Sequence, residues 1–137
     1  MGAGIAQVAA SHGYEVFLVD LNADVLQRGM DGIAKNLDRA IEKGKIPPAE
    51  RDAILGRIRP IPEIKAIHGG ELAIEAVIEN LDIKQIVFRE LEAALPPTAI
   101  LATNTSSLSV SRIAEAVRDP SRVIGMHFFN PAPLMPL

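Results

Sequence analysis

Short continuous apolar runs alternate along the chain with longer stretches whose apolar residues return at helical spacing, and this alternation predicts the elements. Residues 2 to 12 are rich in Ala and set Ile5 and Val8 one turn apart; Gly13 follows as a C-terminal cap, so the segment predicts a helix. The run from Glu15 to Val19, ending at Asp20, predicts a strand, and its unbroken apolar character predicts burial on both faces of a parallel sheet. Asn22 then caps a predicted helix reaching Lys43 and stopped by Gly44, with Leu26, Ile33, Leu37 and Ile41 forming its inward stripe. Pro47 and Pro48 open a shorter helix through Leu55.

Beyond Arg57 the predicted extended pieces are Ile58 to Ile61 and Leu72 to Ile78, separated by Gly69-Gly70. Asp82 is the predicted cap of a helix through Leu95, ended by Pro96-Pro97. Ala99 to Thr103 predicts another buried strand, Ser109 opens a helix ending near Val117, and Arg122 to His127 supplies a last strand. Strands and helices alternating at this rhythm predict an α/β fold with a doubly wound, mostly parallel sheet.

Composition narrows the function classes. The 137 residues are 48% hydrophobic and 23% charged with scattered Gly and Pro, which fits one globular domain, residues 1–137, without linker or repeat. A net charge of −3 argues against a nucleic-acid partner, and the cluster Lys35, Arg39, Lys43 and Lys45 reads as a solvated helix face open to an anionic ligand. With no cysteine, neither a disulfide framework nor a thiolate metal site is available, and no metal site is expected. No apolar run is long enough to cross a membrane and no signal peptide is visible, so the expectation is a cytoplasmic protein.

Three positions fit dinucleotide binding. Gly2 and Gly4 open the first helix, where small residues admit a pyrophosphate to exposed N–H groups. Asp20 ends the following strand, at the spacing of a carboxylate that binds a ribose hydroxyl and repels a 2′-phosphate, which favours NAD over NADP. The full fingerprint has a strand and further glycines ahead of Gly2, so the sheet is expected to be incomplete at its N-terminus, lacking its central strand.

Four stretches carry a closer likeness: Met1 to Ala6, Ile74 to Asn80 with Lys84, Ala102 to Leu108, and Gly125-Met126-His127-Phe128-Phe129-Asn130-Pro131. In order and in register, they resemble the NAD-binding domain of the 3-hydroxyacyl-CoA dehydrogenase family across essentially the whole chain. The resemblance implies a Rossmann-type domain that oxidises an L-3-hydroxyacyl-CoA to the 3-oxoacyl-CoA with NAD, in fatty acid β-oxidation or related thioester metabolism. It implies His127 as the catalytic base, a role that suits imidazole because it ionises near neutral pH.

Ser106 and Asn130 match the family's polar residues near the reacting carbonyl and nicotinamide, where both side chains would donate hydrogen bonds to an oxygen gaining charge. Glu79 and Lys84 match residues that contact the cofactor, and Lys43 matches a lysine at the CoA, with Asn36 where some members carry serine. Three alternatives stay open: a related β-hydroxyacid dehydrogenase, a non-catalytic NAD-binding module, and the dehydrogenase part of a multifunctional hydratase/dehydrogenase.

The family's histidine is oriented by a glutamate that would fall just beyond Leu137, and a helical domain follows that supplies most of a homodimer interface. Residues 1–137 are therefore read as a partial domain. Made alone, they are expected to show no dehydrogenase activity; steady NADH oxidation with acetoacetyl-CoA by the purified chain would overturn this.

Overall fold

The structure is a computed structural model and describes residues 1–137. It comprises two compact units, Met1–Glu63 with Asn130–Pro136, and Ile64–Phe129 with Leu137. Each has its own parallel sheet and its own apolar core.

In the first unit, helix α1 (Gly2–Ser11) leads through Gly13, which adopts a positive φ of 91°, into strand β1 (Val16–Val19). Helix α2 (Ala23–Glu42) begins where the Asn22 side chain accepts the N–H groups of Asp24 and Val25, and it ends before Gly44, at φ 69°. This is the left-handed geometry in which glycine terminates a helix without a Cβ penalty. Helix α3 (Pro48–Gly56) carries Pro48 in its first turn, where the missing N–H is harmless, and strand β2 (Ile58–Ile61) follows.

Strand β1 pairs in parallel with β2, from Val16 opposite Ile58 to Val19 opposite Ile61. All four β1 residues are half-buried, which corrects the expectation of a strand covered on both faces. Its hydrogen-bonded neighbour lies on one side only, so its flanks lack the cover of a central strand. Ala6, Ala10, Ile33, Leu37, Ile54 and Ile58 form the core of this unit. Arg57 ties it further, its guanidinium donating to the Ala10 carbonyl at 2.9 Å.

The second unit starts with a 3₁₀ turn (Ile64–Ala66) that the sequence pattern had not indicated, followed by strand β3 (Leu72–Glu75). This strand stops three residues earlier than the apolar run predicts. The Glu75 carboxylate accepts the Val77 N–H at 2.9 Å, so the backbone turns there and leaves the ladder. Helix α4 (Leu81–Ala94) is capped by Asn80, whose side chain accepts the Ile83 N–H, and not by Asp82 as expected. Asp82 lies inside the first turn, where its charge complements the helix dipole.

Strand β4 (Ile100–Thr103) pairs with β3 on one side and with β5 (Val123–Gly125) on the other, both in parallel. Between β4 and β5, helix α5 (Val110–Ala114) is shorter than predicted because the chain tightens into i→i−3 bonds at Ala116 and Val117. Phe88, Leu91, Leu95, Ala99, Leu101, Ile113 and Val117 make the core of this unit. No helix of the chain is long and apolar enough to cross a membrane.

Two substitutions test this packing by urea unfolding. Phe88→Ala, at a side chain with no exposure, is expected to cost about 3–5 kcal/mol. Gly29→Ala is expected to stabilise by about 0.5–1 kcal/mol, because the added Cβ would make ordinary contacts at 3.5 Å to Ala3 and 3.7 Å to Leu18. Destabilisation by Gly29→Ala would show that α2 packs more tightly than described.

Candidate active site

In the first unit, the first helical hydrogen bond of α1 runs from the Ile5 N–H to the Met1 carbonyl, so the amides of Gly2, Ala3 and Gly4 precede the ladder. No acidic residue stands in that turn, and a Cβ at Gly2 would meet nothing within 4 Å. Gly4 is different: a Cβ there would lie 3.3 Å from Pro133 Cδ and 3.5 Å from Ala132 Cβ, so its small size serves the approach of the segment after Asn130. Asp20 follows β1 and is half-buried; one carboxylate oxygen accepts the Asn22 N–H at 3.0 Å. Lys43, the last-turn cap of α2, is exposed, and so is Asn130. Asn36 donates its side-chain N–H to Gln7 at 3.1 Å.

In the second unit the loop after β3 meets the loop after β4. Glu79 accepts the Thr105 hydroxyl at 2.5 Å, the Ser106 N–H at 3.1 Å and the Ser106 hydroxyl at 3.0 Å. The Thr105 hydroxyl contributes most to holding the Glu79 carboxyl down to about 2; the Ser106 amide and hydroxyl and the Lys84 charge add to it, and partial desolvation opposes them. Glu79 is thus ionised at neutral pH and can only accept. The Ser106 hydroxyl must direct its hydrogen to Glu79, which leaves its oxygen lone pairs for a ligand that brings its own donor.

Behind Glu79, Lys84 is turned inward with 2% of its side chain exposed. Its ammonium lies 2.5 Å from Glu75, 3.2 Å from the Val77 carbonyl and 3.7 Å from Glu79. The other oxygen of Glu75 accepts the Thr103 hydroxyl at 2.7 Å. No buried side-chain nitrogen or oxygen is left without a partner.

His127, just past β5, is exposed, and its Nδ1 stands 3.2 Å from the Asn104 carbonyl. A carbonyl only accepts, so the neutral ring carries its hydrogen on Nδ1 and has a lone pair on Nε2. Phe129 packs edge-on against the imidazole at 5.6 Å. The Asn104 side chain accepts the Phe128 N–H at 2.7 Å, and the Asn104 backbone N–H donates to the Glu75 carbonyl at 2.8 Å. One asparagine therefore joins the ends of β3, β4 and β5.

The sequence reading gave no role to Glu75, Thr103, Asn104 or Thr105. A signal was present for two of them, since Glu75 and Thr103 are the hydrogen-bonding side chains in the otherwise apolar strands β3 and β4. The Glu79 geometry sets a pH dependence. A carboxyl held low in the folded state adds stability that is fully present above its ordinary value of 4.5 and is lost as pH falls toward about 2. The stability difference between the wild type and Glu79→Gln, from urea unfolding at several pH values, should narrow across that window; a pH-independent difference would contradict it.

All of residues 1–137 match the family described as 3-hydroxyacyl-CoA dehydrogenase, NAD binding domain. The 3-hydroxyadipyl-CoA dehydrogenase of Escherichia coli (strain K12) is 45% identical over the whole chain, which spans 29% of that protein's length. A 3-hydroxybutyryl-CoA dehydrogenase of Mycobacterium tuberculosis (strain H37Rv) is 40% identical over the whole chain, which spans 48% of it. The crystal structure of an Escherichia coli 3-hydroxybutyryl-CoA dehydrogenase superposes with a TM-score of 0.95 at 45% identity, covering 98% of this chain and 29% of that one. The neighbours are Rossmann-type dehydrogenase domains. The chain belongs to the 3-hydroxyacyl-CoA dehydrogenase family and corresponds to its NAD-binding part.

Proposed function

We propose that the protein carrying this domain oxidises an L-3-hydroxyacyl-CoA to the corresponding 3-oxoacyl-CoA with NAD. The observation that carries this reading is His127, exposed and held by the Asn104 carbonyl in the tautomer that leaves Nε2 free to accept a proton. In this role Nε2 removes the proton of the substrate hydroxyl as the carbon–hydrogen bond beside it is broken. NAD, when bound, supplies the nicotinamide that accepts the hydride.

The residues present fit that cofactor. The first-turn amides of α1, which precede its hydrogen-bond ladder, suit a pyrophosphate, and Gly4 keeps the chain close behind them. Asp20 has an oxygen left for a ribose hydroxyl, and its charge disfavours a 2′-phosphate. Glu79 and Ser106 present acceptors at the strand ends, which suit the amide N–H of a carboxamide or a substrate hydroxyl. Asn130 adds an exposed amide, and Lys43 a cation for the phosphates of CoA.

The relatives' names carry different acyl groups, 3-hydroxyadipyl and 3-hydroxybutyryl, so the shared motifs serve the 3-hydroxyacyl thioester common to them. For the full-length protein we expect a cytoplasmic homodimer.

Steady-state kinetics of the full-length protein with acetoacetyl-CoA and NADH test the assignment. His127→Gln should lower kcat by about 10²–10⁴-fold while leaving the Kd for NADH unchanged. Full activity in that variant would remove His127 from the chemistry. Glu79→Gln should weaken NADH binding, and unaltered binding would remove Glu79 from the cofactor site.

A further inference from the structure

Thr103 is fully buried and the Glu75 side chain is 0% exposed, so neither is placed to touch a ligand, and the Lys84 side chain beside them is 2% exposed. They are nevertheless joined into one chain of contacts that ends at the surface. The Thr103 hydroxyl donates to Glu75, Glu75 accepts from Lys84, and the Lys84 ammonium lies 3.7 Å from Glu79. Glu79 then receives Thr105 and Ser106. Thr103 has a second link to the same place, its hydroxyl accepting the Thr105 N–H at 3.2 Å.

For stability alone such a group is a poor choice. Well-packed apolar residues of similar volume serve as well as or better than a buried ion pair, whose desolvation offsets most of its attraction. What the charged pair adds is direction. Lys84 has its hydrogens committed to Glu75 and the Val77 carbonyl, which leaves the remaining one on the side of Glu79. The Val77 carbonyl and the Val77 N–H are both held, by Lys84 and Glu75 respectively, so the backbone two residues before Glu79 is fixed from both sides.

We propose that Thr103 and Glu75 are positioning residues for the cofactor and reaction site, acting through Lys84, Glu79 and Ser106 without themselves touching NAD or substrate. The proposal rests on the function assigned above.

The test uses the full-length protein. Thr103→Val keeps the volume and removes the hydroxyl, Thr103→Ser restores it, and the double variant Glu75→Gln/Lys84→Met removes both charges together. Three quantities are read: the thermal transition, the Kd for NADH with kcat, and the titration of the Glu79 carboxyl by ¹³C NMR without ligand. Positioning predicts folded variants with a weaker Kd for NADH and a kcat lower by about ten- to a hundredfold, the scale of a displacement of about 1 Å. It also predicts a Glu79 titration moved up toward the ordinary carboxyl range, with all three restored in Thr103→Ser.

Folded variants with wild-type binding, kcat and Glu79 titration would overturn the proposal. Failure of both Thr103→Val and the double variant to fold would overturn it too, by assigning the trio to stability. If Glu79→Gln binds NADH as the wild type does, the assigned role of Glu79 fails instead, while the ligand-free titration still decides whether the buried trio positions it.

Discussion

A carboxylate and an ammonium removed from water together must each find further partners, and in the pair Glu75–Lys84 that requirement shapes the surrounding backbone. Glu75 takes the Thr103 hydroxyl and the Val77 N–H besides Lys84, and Lys84 takes the Val77 carbonyl besides Glu75. The strand can therefore continue no further than Glu75, and the chain that leaves it is bent toward the Asn80 cap of α4. Helix α4 returns Lys84 to the strand end it started from. Glu79 stands on the short span between, where it meets Thr105 and Ser106 from the neighbouring loop. Losing either charge alone would leave the other buried without its counterpart, a larger penalty than the pair contributes when intact.

Local chemistry made much of the fold legible. The Asn22 cap, the stripe that buries Ile33 and Leu37, and the stop at Gly44 are all contained within α2 and its flanks. Such signals depend on neighbours a turn away, so they read directly from the order of residues. The ends of elements were less legible wherever a side chain competed with the ladder. β3 stops because Glu75 captures Val77, and α4 starts at Asn80 because an extended residue there offers its oxygen to Ile83 before Asp82 is reached. β1 is only half-buried because an apolar run states what a strand tolerates and not how many neighbours it has.

The site divides along the same line. His127, Glu79 and Ser106 stand in recognisable motifs, and the structure brings Glu79 and Ser106 together. The direction of the Ser106 hydrogen was not legible, because it follows from the ionisation of a carboxylate 27 residues away. Thr103 and Glu75 are 28 residues apart, and nothing near either one in the sequence indicates the bond between them.

Asn104 has a consequence for how such a domain can vary. Its backbone N–H is bonded to the end of β3, and its carbonyl and side-chain oxygen both to the segment leaving β5. The loops bearing Ser106 and His127 are thereby registered against one another by a residue outside the candidate set. An insertion or deletion on one side of Asn104 would shift one loop while the other stayed tied, so changes of chain length are confined to stretches beyond these joints. Residues outside the joints can then diverge while the spacing of Ser106 and His127 stays constant.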